Sequence, residues 1–153
     1  MNIRSSLDKL DHAASYLQSP LLLVIRLFWG WSFLQTGLGK LNHLEKSTAF
    51  FQSLHIPMPR ANAMAAGCTE TICGTLIGLG LFARPASIPL IVIMIVAYLT
   101  ADSEAWHSFF SDPDKFMSAT PFLFLYAAVI ILAFGPGKLS LDALFFRKSA
   151  SGK

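Results

Sequence analysis

Residues 20–41 are apolar enough to cross a bilayer, and Arg26 lies well inside them. A crossing takes about 20 residues at 1.5 Å of rise each. An arginine at that depth costs roughly 2.5–3.5 kcal/mol even on lenient insertion scales, so it must face an interior and hold a partner there. Together these facts predict an all-α fold, an integral membrane four-helix bundle with a polar interior. The charged fraction agrees, at 14% of the chain against about 25% in soluble domains. The net charge is only +3, and the basic residues flank apolar runs instead of forming a stripe. That distribution suits a bilayer surface and gives no support for nucleic acid as a partner.

The chain divides into three parts. In residues 1–18, Ile3, Leu7, Leu10, Ala14 and Leu17 recur at helical spacing opposite Arg4, Asp8, Lys9 and Asp11, which predicts an amphipathic interfacial helix. The run after it is too long for the h-region of a signal peptide and lacks an A-x-A-like site. Residues 19–137 hold four apolar segments, at about 20–41, 61–83, 85–101 and 116–135. Pro20, Pro59, Pro85 and Pro121 stand at or near their starts, where a missing N–H leaves no helix bond unmade. Pro121 falls inside the fourth segment unless that helix starts there, which shortens it. Gly135-Pro136-Gly137 ends the last segment. Residues 138–153 form a basic tail with a short amphipathic segment.

An even number of spans puts both termini on one side. That side carries Arg4, Lys9, Arg84, Lys138, Arg147, Lys148 and Lys153, against Lys40, Lys46, Arg60 and Lys115 on the other. The excess predicts a multi-pass protein of the bacterial inner membrane with cytoplasmic termini. The connection at 102–115 contains Trp106, Phe109 and Phe110, so it is expected to lie at the membrane interface.

At 100° per residue, Arg26, Gly30, Phe33, Gly37 and Lys40 share one face of the first helix, while Gln35 falls on the far side. On the second helix, Ala63, Ala66, Gly67, Cys73, Gly74 and Ile77 share the face of Glu70. Arg26 and Glu70 are the formal charges deep in the apolar runs, so pairing is expected. Their depths differ, about 9 Å against about 20 Å from the presumed cytoplasmic ends. A bridging water or a polar ligand would close that gap. The candidate polar interior is therefore Arg26, Glu70, Lys40 and Cys73. It serves either as a buried pair that fixes helix register or as a ligand, proton or redox site.

Cys68 and Cys73 lie within one segment, about 7.5 Å and 140° apart on a helix, which disfavours a disulfide between them. They read as small core residues, with a redox or metal role as the alternative. Glu104 and His107 share helical spacing without a third ligand, and no metal site is expected. The chain contains no Walker motif, G-x-G-x-x-G, C-x-x-C or H-x-x-x-H, so nucleotide, haem and zinc have no support.

The pattern Arg26, Gly30, Phe33, Gly37, Lys40, the Glu70 segment, Gly78-Leu-Gly-Leu-Phe-x-Arg84-Pro-Ala and Gly135-Pro-Gly-Lys-Leu-Ser-Leu-Asp142 resembles the DoxX family of bacterial inner-membrane proteins over roughly residues 20–145. The resemblance implies a four-helix membrane fold and an association with redox chemistry. One related branch is a subunit of a thiosulfate–quinone oxidoreductase, another is linked to amine dehydrogenase maturation, and others partner thiol or superoxide defence enzymes. Asp142 is a positional match in the tail. The resemblance offers no agreed catalytic residue, and Trp29, Trp31, Cys68 and Cys73 fall outside its pattern.

Three functions compete. The first is a redox-associated membrane subunit that binds a quinone or similar small molecule between helices near Arg26 and Glu70. The second is a non-catalytic anchor that recruits a soluble partner enzyme. The third is a proton-coupled exporter built as a homo-oligomer, with Glu70 as the carrier. A disulfide-exchange enzyme is set aside, because it would need cysteine pairs in outer loops.

Overall fold

Long apolar runs punctuated by proline and glycine give a chain of helices. The computed structural model describes the backbone of residues 3–146 and the side chains of residues 16–145. In chain order the elements are α1 (Ile3–Asn42), α2 (Leu44–Ser53), α3 (Pro59–Leu79), α4 (Ala83–Thr100), α5 (Ser103–His107), α6 (Pro113–Ser118), α7 (Thr120–Phe134) and α8 (Leu141–Phe146). There is no strand among the described residues. Tyr16–Asn42 of α1 and all of α4 are long and apolar enough to cross a membrane. At 15 residues, α7 is shorter.

Pro59 and Pro121 occupy the first turns of α3 and α7, and Gly135 ends α7 at φ 74°. Pro20 differs from expectation. The helix does not begin there but runs from Ile3 straight through it. Residues 3–18 and the first apolar run are thus one element, where an interfacial helix ahead of Pro20 was expected. Proline is tolerated inside membrane helices because neighbouring groups adjust around the missing donor. The amphipathic face assigned to Ile3, Leu7, Leu10 and Ala14 lies outside the described side chains.

Glycines set how α1 and α3 meet. The two run antiparallel, with Gly30 against Gly74 and Gly78, and Gly37 against Gly67 and Thr71. A Cβ on Gly30 would lie 2.6 Å from the Gly78 nitrogen, and one on Gly37 would lie 2.6 Å from the Thr71 nitrogen. Nothing larger than hydrogen fits at either position. The α4–α7 pair packs beside this unit, and a core of Phe33, Ile77, Leu90, Met94, Ala128 and Ile131 fills the space between the four long helices.

The bundle has two distinct ends. At one, α2, α5 and α6 form a layer across the tops of the long helices. There Tyr98 stacks on Phe116 and donates its hydroxyl to the Phe116 carbonyl at 2.9 Å, with Trp106 and Phe109 against the same ring. Phe110 is 93% exposed. At the other end, the α3–α4 turn, the end of α7 and residues 135–142 come together.

Candidate functional site

Glu70 is buried to 1% exposure on α3, in line with Ala63, Gly67, Gly74 and Ile77. The small residues on that face draw α1 close and bring Lys40 opposite. Lys40 Nζ donates to Glu70 Oε2 at 2.6 Å, with 29% of the lysine side chain exposed. A carboxylate buried in apolar surroundings is tolerable when a cation neutralises it, and here that cation is Lys40.

The pair forms the polar end of a cavity of about 510 Å³ between α1, α3, α4 and α7, with α2 lining one end. Its walls are mostly hydrocarbon, from Phe50, Phe51, Leu54, Ala66, Val92, Ile93, Ala97 and Phe124. Thr36, Asn62 and Thr69 add polarity. Two of these are already engaged, since Thr36 donates to the Phe33 carbonyl and Asn62 to that of Pro57. Pockets that hold small molecules typically measure about 300–1,000 Å³, are mostly apolar and carry a few convergent polar groups. This cavity has those features.

Arg26 does not join Glu70, which corrects the expected pairing. The antiparallel register places Glu70 level with Gly37, about 16 Å along α1 from Arg26 at 1.5 Å per residue. Depth counted from the segment ends carries no information about this register. Arg26 is buried to 1% at the opposite end, where its Nη2 donates to the Leu139 carbonyl. Its Nε and Nη1 have no hydrogen-bond partner among the described residues. The charge of Asp142 acts on the guanidinium. The Asp142 carboxylate also accepts from the Phe82 nitrogen at 2.9 Å and the Ala83 nitrogen at 3.3 Å, while its own N–H donates to the Gly80 carbonyl at 2.9 Å. It thereby caps α4 from 60 residues away, at a turn where Gly80 and Phe82 take φ 68° and 49°. A Cβ at Gly80 would collide with the Arg26 guanidinium, so this position also needs glycine.

Cys73 is half-buried against the apolar core and is not part of the cavity lining, while Cys68 is exposed on the outer face of α3. Of the four candidates, the structure brings together Lys40 and Glu70 and leaves Arg26 and Cys73 apart from them. Sequence reasoning missed α2, which supplies the cavity's end wall. Its Phe50 and Phe51, with Leu54 just after it at helical spacing, were the available signal. No group of three or more metal-ligating side chains occurs among the described residues.

An all-helical bundle of apolar helices around a buried ion pair is a membrane-protein architecture. The chain belongs to the DoxX family, whose model matches residues 21–103, more than half of its length. It is 29% identical over 144 residues to a Mycobacterium tuberculosis protein described as an uncharacterized membrane protein, covering 86% of this chain and 85% of that one. It is also 26% identical over 127 residues to an uncharacterized protein of Haemophilus influenzae, covering 80% of this chain and 82% of that one. No solved structure matches. Arg26, Lys40, Glu70 and Gly80 fall inside the family match, and Asp142 lies beyond it.

Proposed function

We propose that this DoxX-family protein is a redox-associated subunit of the bacterial inner membrane, with four spans, cytoplasmic termini and a quinone or similar small molecule held in the Lys40–Glu70 cavity. The observation that carries this reading is a buried carboxylate paired with a partly exposed ammonium at the polar end of an apolar cavity of suitable size. The orientation is supported by charge in the sequence, because Arg4, Lys9, Arg84, Lys138, Arg147, Lys148 and Lys153 flank the segments on the side of the termini, against Lys40, Lys46, Arg60 and Lys115 on the other.

The residues fit a quinone. One Lys40 proton is committed to Glu70, leaving two N–H donors on the ammonium for a carbonyl oxygen. Phe51, Leu54 and Phe124 would shield the ring from water, and Glu70 would hold the ammonium in place. A quinone supplies reversible two-electron chemistry, and a soluble redox enzyme would be the source or sink of those electrons. Arg26, earlier grouped with Glu70 at the ligand, belongs in this reading to the opposite end and keeps the bundle closed.

The test is binding of a quinone analogue to the purified protein in nanodiscs, with Glu70→Gln and Lys40→Met beside the wild type. Loss of binding in folded variants supports the assignment. Equal binding by all three proteins removes the site.

A further inference from the structure

The cavity's walls also bear on the route by which it fills and on the kind of molecule it accepts. Ala65 on α3 and Val92 and Val96 on α4 line it, yet all three are exposed on the outside of the bundle, with Val92 at 54% and Val96 at 45%. Val92 and Val96 lie on α4, which is long and apolar enough to cross a membrane, and Ala65 lies on the neighbouring α3. The gap they rim therefore opens sideways on the outside of the bundle, where acyl chains would lie in a bilayer. At its other end the cavity is lined by Phe50 and Phe51 of α2 and by Leu54, which caps that helix.

The charges at the polar end restrict the head group. Lys40 and Glu70 cancel, and Asp102 on the rim adds one further negative charge. An anionic head would bring an uncompensated charge into a low-dielectric space. A cationic head would compete with Lys40 for Glu70 and face its ammonium at close range. An uncharged acceptor meets neither penalty, and the two spare Lys40 donors are available to it.

Resting on the reading of this cavity as the functional site, we infer that it takes a membrane-dissolved molecule with an uncharged, hydrogen-bond-accepting head and a hydrocarbon tail, admitted sideways between α3 and α4 with the tail left in the gap. A tailed quinone satisfies this description and a fatty acid does not.

The experiment uses full-length protein in nanodiscs and three probes at matched mole fraction in the lipid: a decyl-substituted benzoquinone, the same head without its tail, and decanoate. A fourth probe, decylammonium, tests the cationic head. Ala65→Trp and Val92→Trp fill the gap from exposed positions that should tolerate the larger ring, with folding checked by circular dichroism. The expected result is that both variants bind the tailed quinone at least about tenfold more weakly, a change of about 1.4 kcal/mol, while the tail-less head binds as in the wild type. Decanoate and decylammonium should not displace the quinone. Unchanged binding of the tailed probe in both tryptophan variants overturns the sideways route and leaves the cavity assignment standing. Displacement by either charged probe overturns the uncharged head. Full binding of both quinones by Lys40→Met overturns the cavity reading, and this inference with it.

Discussion

Lys40 and Glu70 lie 30 residues apart in sequence and meet at 2.6 Å, the lysine partly open to the cavity and the glutamate sealed behind it. The asymmetry in burial makes the two partners unequal. Lysine has a long stem and can turn its charge toward a wetter place. The carboxylate has nowhere else to go.

Removing the cation should therefore be the more damaging change. Lys40→Met leaves Glu70 buried without its cation and is expected to cost about 3 kcal/mol, whereas Glu70→Gln keeps a polar partner and should cost about 1–2 kcal/mol. The double variant Lys40→Met/Glu70→Leu should recover most of the loss, because apolar replacement of a buried pair is often neutral. Reversible unfolding in mixed micelles measures all three, and additive single effects in the cycle would show that the pair is not coupled.

Asp142 is expected to matter as much as many core residues. Asp142→Ala removes two hydrogen bonds at the start of α4 and the negative charge that acts on Arg26. A loss of about 2–3 kcal/mol follows from bonds to a charged acceptor. Truncation after residue 137 should cost at least as much, since it also removes the Leu139 carbonyl that receives the Arg26 proton. Thermal melts of the detergent-purified proteins give the comparison.

Three glycines of α1 should respond very differently to substitution. Gly30→Val and Gly37→Val force α1 and α3 apart and should destabilise by about 1–3 kcal/mol or more. Gly39→Ala meets nothing within 4 Å and should be neutral or slightly stabilising. Similar losses at all three positions would mean that the helices do not meet along this register.

The α5–α6 layer carries a pH-sensitive staple. Lys115 donates to Glu104 at 2.8 Å, and this bond holds the Glu104 carboxyl below its usual 4.5 and the Lys115 ammonium above its usual 10.5. The lowered carboxyl contributes order that is complete above 4.5 and fades as pH falls through its lowered value. The raised ammonium contributes order that is complete below 10.5 and fades as pH rises through its raised value. Both groups are open to solvent, so the effect should be local and weakened by salt. Amide exchange at 103–118, referenced to the unfolded rate at each pH, should show greatest protection between those limits, and Lys115→Ala should flatten the profile.

The helical class was legible because apolar length and proline placement act locally, and α3, α4 and α7 begin or end close to where those signals stand. Pro20 alone points to a helix start, whereas it lies inside α1, because a membrane helix can carry proline internally. The wheel positions of Arg26, Gly30, Phe33 and Gly37 agree with their burial. Their partners were not legible, because which residue of α3 faces which of α1 depends on the glycine contacts at 30 and 37. That register is a property of two helices together, and it assigned Glu70 to Lys40. The role of Asp142 depends on a contact spanning 60 residues that no local pattern announces.

The fold-back of residues 139–142 also bears on how the protein is made. Arg26 belongs to α1, whereas the carbonyl it binds lies 113 residues further along the chain and the carboxylate whose charge acts on it lies just beyond that. During synthesis α1 must therefore wait with its guanidinium short of both partners. Closure of this end of the bundle is timed by the arrival of residues 139–142.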